Sequence, residues 1–129
     1  MSFVVDSSKK GLSMVLRDYE ELALKHVWSS PDKGVDTRGT HMAVNKGLGE
    51  NRSISRASVI NFLNSMADQG ILNYTEKSTK GGMKRVYSPR LDEKGFKLLI
   101  AKNIITNLLR DFPEETQQVL KDAGFLPTR

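Results

Sequence analysis

Residues 55–89 read SRASVINFLNSMADQG (55–70) followed by ILNYTEKSTKGGMKRVYSP (71–89). Within the first segment Val59, Phe62, Leu63 and Met66 recur at spacings of three and four, the apolar stripe of a helix, and Ile60 and Ala67 widen it. Ser55 is placed to cap that helix, its hydroxyl accepting from an orphan N–H of the first turn, and Gly70 to end it in a left-handed conformation. The opposite face carries Ala57, Asn61, Asn64, Ser65 and Asp68. It is short-chained, polar and nearly uncharged, where a surface helix usually carries Glu/Lys pairs. Such a face lets a groove approach closely and offers donors and acceptors to base edges. The plain alternative is an amphipathic helix with a solvated polar face. Arg56, at the edge of the stripe, has the length to reach a phosphate or a guanine.

The second segment alternates and turns. Ile71, Leu72 and Tyr74 begin a strand, Lys77 to Gly82 form a turn in which Gly81-Gly82 permits positive backbone angles, and Met83 to Tyr87 return until Pro89 removes a ladder donor. Lys77, Lys80, Lys84 and Arg85 are therefore expected around one hairpin tip. Charge is concentrated here: residues 1–53 carry +1, residues 54–90 carry +4 and residues 91–129 carry none, of a total of +5. An excess of basic charge on one substructure is the footprint expected for phosphate contact.

Upstream, Asp18-Tyr19-Glu20-Glu21 has capping-box spacing, with Asp18 as cap and Glu21 reaching back, for a helix to about Trp28 that buries Leu22, Ala23, Val27 and Trp28. A turn cluster, 29–34, separates it from a second helix starting at Asp36 or Thr37 and ending near Leu48-Gly49, interrupted in pattern by Gly39 and Gly47. Gly49 to Ser53 is then the turn before the helix that starts at Ser55, with Arg52 beside it as a further phosphate contact. Helix, helix, third helix and basic hairpin in this order predict an α+β, mainly α, winged helix-turn-helix at residues 1–90. Arg52, Ser55, Arg56, Ala57, Ser58, Asn61, Asn64, Lys77, Lys80, Lys84 and Arg85 are its expected contacts to double-stranded DNA.

Residues 91–129 form a separate helical segment. After Asp92 as cap, Phe96, Leu98, Leu99, Ile100, Ala101, Ile104, Ile105, Leu108, Leu109 and Phe112 cover at least half of a helical wheel. An ordinary surface helix shows an apolar stripe of about 100°. This one calls for two partners. One is its own domain; the other is most simply the same helix of a second subunit, with Phe96, Leu99, Ile100, Ile104, Ile105, Leu108, Leu109 and Phe112 as the pairing residues. A central helix buried in a monomer is the alternative. Pro113 opens a last helix, Glu114 to Ala123, stopped at Gly124, from which Val119, Leu120, Ala123, Phe125 and Leu126 would pack across the long one.

The chain resembles the penicillinase-repressor family of winged-helix transcription regulators, which includes copper-transport repressors. The resemblance spans about residues 16–112 and rests on Leu22 to Trp28, on Ser58-Val59 followed by Leu63, Met66 and Gly70-Ile71-Leu72, and on the hairpin ending in Tyr87-Ser88-Pro89. It implies homodimeric repressors that bind palindromic operators. Ala57-Ser58 stands where that family has a threonine pair, Asn64 or Ser65 where it has a basic residue, and the hairpin is longer and more basic, so base preference does not carry over. The SRASV of the third helix and Glu93-Lys94-Gly95 after the hairpin are similar to multiple-antibiotic-resistance-type and PadR-type regulators.

Composition narrows the remaining classes. The chain has 129 residues, 38% hydrophobic, enough for one compact domain with a helix or two appended. It has no cysteine, which excludes disulfides and thiolate metal sites and fits a reducing cytoplasm. The N-terminus lacks the pattern of a signal peptide, and no apolar run reaches the length of a membrane span. His26 and His41 lie in separate helices outside metal-ligand spacing, no GxxxxGK[ST], GxSxG or GxGxxG motif occurs, and the acid pairs Glu20-Glu21 and Glu114-Glu115 sit at helix starts where they complement the dipole. No enzyme, metal or cofactor is expected. A winged-helix protein-interaction subunit of a larger transcription or repair assembly is the reading from another class, and a regulator with a small-molecule effector is a third that no polar cluster supports.

Overall fold

Three helices, a hairpin and two further helices follow one another in the computed structural model, which describes residues 3–124. After a short 3-10 helix (Gly11–Met14) come α1 (Asp18–Trp28), β1 (Val35–Asp36), α2 (Thr37–Leu48), α3 (Arg56–Asp68), β2 (Leu72–Thr79), β3 (Gly82–Pro89), α4 (Glu93–Asp111) and α5 (Pro113–Asp122). The chain divides into two compact units, 1–93 and 94–129. The strands form one antiparallel sheet in the order β1-β3-β2. The first unit is a helix-turn-helix with a hairpin, the winged-helix arrangement expected of an α+β, mainly helical chain.

The stripe along α3 is what organises that unit. Val59, Phe62, Leu63 and Met66 are buried, as are Leu24 and Val27 of α1, Val44 of α2, and Ile71, Leu72 and Tyr87 at the hairpin base. Each fully buried Val or Leu contributes about 1.5–3 kcal/mol, far above the ~0–1 kcal/mol of a surface ion pair, so packing rather than charge sets where α3 and the hairpin sit. Trp28 Nε1 donates to the Leu91 carbonyl at 3.0 Å, tying the end of α1 to the residues after the hairpin. Gly70, at φ +78, makes the left-handed turn from α3 into β2.

Helix α2 keeps its regular course through both glycines. Gly39 donates its N–H to the Asp36 carboxylate at 2.8 Å, the N-cap bond. Gly47 faces α1 so closely that a Cβ there would lie 2.8 Å from Leu22 Cδ2. The turn into α3 is held by α2 itself: Ile54 donates its N–H to Asn45 Oδ1 at 2.8 Å, and its carbonyl lies 2.8 Å from His41 Nε2. His41 is thus a structural latch of the helix-turn-helix.

Several local expectations are corrected. The N-cap of α1 is Arg17, not Asp18, because Glu20 rather than Glu21 reaches back, accepting the Arg17 N–H at 2.7 Å. Leu24 is buried in α1 where Leu22 and Trp28 are only half-buried. The hairpin turn is shorter than Lys77 to Gly82: pairing continues to Thr79 opposite Gly82, leaving Lys80 and Gly81 at the tip, with Thr79 Oγ1 donating to the Gly82 carbonyl at 2.9 Å. Only Gly82 of the two glycines has positive φ. Strand β1 was not anticipated, since two residues carry no periodicity. It exists because Val35 and Asp36 pair with Tyr87 and Val86 of β3.

In the second unit the apolar surface of α4 separates into two stripes. Phe96 and Ile100 are buried. Leu98, Ala101, Ile105, Leu108 and Phe112 are exposed and follow one another at intervals of three, four, three and four. Leu99, Ile104 and Leu109 lie between these extremes. Helix α5 starts at Pro113 as expected, and buried Thr116 donates its hydroxyl to the Leu108 carbonyl at 3.1 Å. Val119 and Ala123, expected to pack across the long helix, are exposed; Phe125 and Leu126 lie outside the described residues. Among the described residues no helix is long and apolar enough to cross a membrane, and no group of His, Asp and Glu could hold a metal ion.

Candidate nucleic-acid interface

Helix α3 turns its polar face outward between two hollows. Ala57, Asn61 and Asp68 form an exposed ridge. On one side Ser58, Asn61 and Ser65 border a hollow of about 630 Å³ shared with the N-terminal segment around Phe3, Met14 and Tyr19. On the other side Arg56, Ile60 and Asn64 line a cleft of about 490 Å³ whose far wall is Thr37 and Arg38 of α2 and Met83, Lys84 and Arg85 of β3. Four cations, Arg38, Arg56, Lys84 and Arg85, border this cleft against a single acid, Asp36.

The cap of α3 forms as its sequence requires. The Ser55 hydroxyl accepts the Ser58 N–H at 3.1 Å and lies 2.9 Å from the Ser58 hydroxyl. The two hydroxyls are thereby engaged with each other and with the first turn, while Arg56 and Ala57 are exposed. Arg52 is set apart from the cleft: its guanidinium is bound to the Asp18 carboxylate, with Nη2 3.4 Å from Oδ1.

The basic residues of the hairpin do not share one environment. Lys84 and Arg85 are successive residues of β3 and meet different partners, although both border the cleft. Lys84 pairs with Asp36 at 3.0 Å. Arg85 stacks over the Tyr74 ring at 4.0 Å, donates from Nη1 to Asn64 Oδ1 at 2.9 Å and has Glu76 3.9 Å from Nε. Lys77 and Lys80 are exposed and have no ion pair among the described residues. Lys77 faces Lys84 across the strands, a like-charge pair that destabilises a hairpin by itself.

Asn64 is the junction between helix and hairpin. Its carbonyl oxygen accepts from Arg85 and also from the Tyr87 hydroxyl. Burial pushes the Tyr87 phenol above its ordinary value. Asp36 is held below the usual carboxylate value first by the Gly39 N–H and then by Lys84. The stability this gives is present above the ordinary value of 3.8 and is lost as pH falls through the lower value of the folded state. Replacing Asp36 by Ala is expected to cost about 1 kcal/mol at pH 7 through loss of the cap. Urea titrations of the two proteins should show that gap persisting down to about the ordinary carboxylate value and closing below it.

The structure therefore brings Arg56, Asn64, Lys84 and Arg85 to one cleft, puts Ala57 and Asn61 on the ridge beside it, leaves Lys77 and Lys80 on the hairpin outside the cleft lining, and draws Arg52 to Asp18. Arg38 and Tyr87 are additions to the residues nominated from sequence. Arg38 had a legible signal: it stands in the first turn of α2, two residues after the capping Asp36, where the helix dipole disfavours a cation. Tyr87 had none, because its partner lies 23 residues away.

No family model and no curated protein matches this chain. Among solved structures, a "possible transcriptional regulator" from Methanosarcina mazei Go1 is similar to it, with a TM-score of 0.52 and 17% identity over 83% of this chain and 78% of that one. At that identity the two proteins share a fold, the helix-rich α+β arrangement of helices and hairpin described above.

Proposed function

We propose that this protein is a sequence-specific, double-stranded DNA-binding transcription regulator, acting as a homodimeric repressor on an inverted-repeat operator. The observation that carries the reading is the uncharged polar ridge of α3 set beside a cleft with four bordering cations and a hairpin bearing the unpaired Lys77 and Lys80. In a winged helix the third helix enters the major groove and the hairpin meets backbone beside it. Asn61 and Asn64 then contact base edges, and Arg56, Arg38, Lys77 and Lys80 contact phosphates. Lys84, Arg85 and Arg52 already hold Asp36, Asn64 and Asp18, so each has fewer donors left for a phosphate. The fold shared with the M. mazei "possible transcriptional regulator" supports the general role.

The second copy is supported by the exposed stripe on α4. Leu98, Ala101, Ile105, Leu108 and Phe112 have the alternating three-four spacing of a two-helix seam. Two copies joined there would present two reading helices to two half-sites.

The test is fluorescence anisotropy with the duplex upstream of the protein's own gene and a shuffled duplex of equal length, at two salt concentrations. A preference of about a thousandfold that survives the higher salt is the expected result. Absence of binding to both duplexes at low salt would overturn the DNA reading and favour a protein-interaction subunit whose partner covers α4.

A further inference from the structure

We infer that Asn64 acts at the base edge as a hydrogen-bond donor only, so that it selects an acceptor edge, guanine O6/N7, and rejects adenine. This inference rests on the DNA-binding reading above and deepens it to one position of the site.

The orientation of the Asn64 amide follows from its neighbours. Arg85 Nη1 lies 2.9 Å from one terminal atom of Asn64. A guanidinium has donors and no acceptor, so the atom facing it must be the carbonyl oxygen rather than the amide nitrogen. The Tyr87 hydroxyl donates to the same oxygen. A carbonyl oxygen has two lone pairs, and two donors occupy them. Both donors are held from behind. Tyr87 is 1% exposed, and Arg85 is clamped between the Tyr74 ring and Asn64. The Nδ2 amide makes no hydrogen bond among the described residues, on a side chain that lines the cleft and is half-buried.

Adenine recognition by asparagine needs both ends of the amide: the oxygen accepts from N6 and the nitrogen donates to N7. With its oxygen engaged by the hairpin, Asn64 meets only half of that pattern and would leave the adenine N6–H group unpaired. Guanine presents two adjacent acceptors in the major groove, N7 and O6, and no donor, so an Nδ2–H of Asn64 shared between them leaves no base donor unpaired. Cytosine offers a donor and is rejected for the same reason as adenine. Arg85 and Tyr87 thereby become positioning residues for the reading helix: the hairpin sets the polarity of a side chain on α3 as well as carrying phosphate contacts.

Asn64→Asp isolates the claim, since it keeps an inward-facing oxygen for Arg85 and Tyr87 and replaces only the outward donor by an acceptor. Full-length wild-type protein, Asn64→Asp and Tyr87→Phe are each used to select sites from a randomised duplex library, with thermal melts of all three as the folding control. The expected result is guanine at one position in each half-site for the wild type, lost by about tenfold and shifted to cytosine or adenine in Asn64→Asp, and relaxed toward adenine in Tyr87→Phe. If Asn64→Asp does not fold, wild-type protein is titrated against its selected site with that guanine replaced by 7-deazaguanine, where a loss of about five- to tenfold is expected. Adenine selected by the wild type at the position that Asn64→Asp alters, or an Asn64→Asp profile identical to wild type, or full affinity for the 7-deazaguanine duplex would overturn the inference while leaving DNA binding intact. Failure to enrich any sequence, with no duplex bound at low salt, would instead remove the DNA reading itself.

Discussion

Replacing Lys77 and Lys80 together by glutamate is expected to weaken binding to every duplex, specific or shuffled, by about a hundredfold at 0.1 M salt and to flatten the dependence of log K on log salt by about two units. Both side chains are exposed and have no ion pair among the described residues, so their charge is available without breaking an internal contact. Each phosphate neutralised contributes about 0.9 to the slope, and reversal of sign adds repulsion to the loss of attraction. Sequence preference should survive, because phosphate contacts position and base contacts specify. Thermal melting should not fall, since neither lysine packs in the core and Glu at position 77 replaces a like-charge pair with Lys84 by an opposite-charge one. Anisotropy titrations at three salt concentrations read both quantities, and an unchanged slope would take the hairpin out of the interface. Arg85→Ala is a different experiment: it removes the link to Asn64 and the stacking on Tyr74 together with a charge, so altered sequence preference is expected alongside weaker binding.

The second large effect concerns α4. Ile105→Glu combined with Leu108→Glu is expected to convert the proposed homodimer into a monomer with unchanged helix content. Ile105 and Leu108 are 38% and 37% exposed and sit at the middle of the stripe running from Leu98 to Phe112. Two carboxylates placed there would have to be desolvated in a paired seam but remain in water on a single chain. Affinity for an inverted repeat should fall by a hundredfold or more, because the second half-site is no longer engaged at high effective concentration, while affinity for an isolated half-site stays the same. Sedimentation velocity and half-site titrations check the two parts. A wild-type protein that is monomeric at tens of micromolar would reject self-pairing, and a double variant that remains dimeric would place the interface on another face. Phe96→Glu should behave differently: that side chain is buried in the single chain, so a loss of folding rather than of pairing is expected.

Much of the first unit was legible because its signals are local. The stripe Val59, Phe62, Leu63, Met66, the Ser55 cap and Gly70 lie within one short stretch, and all three take the expected places. Helices α2 and α5 begin where Asp36 and Pro113 indicate, for the same reason. The misread features depend on partners elsewhere. Strand β1 is two residues held by β3, and Thr79 and Gly82 join the ladder rather than the turn because pairing persists to the tip. The choice between Asp18 and Arg17 as cap of α1 turned on which of two adjacent glutamates reaches back, a difference of one residue that periodicity does not resolve.

By itself the sequence determined the five α-helices and the hairpin, which face of α3 is apolar, and that basic charge gathers between residues 54 and 90. Periodicity and caps act over three or four residues, so a single chain displays them. Tertiary structure decided which of those charges remain free and which polar atoms are already used. Packing alone brings Lys84 to Asp36, 48 residues away, and Tyr87 to Asn64, 23 residues away, and it divides the apolar surface of α4 into a buried and an exposed stripe.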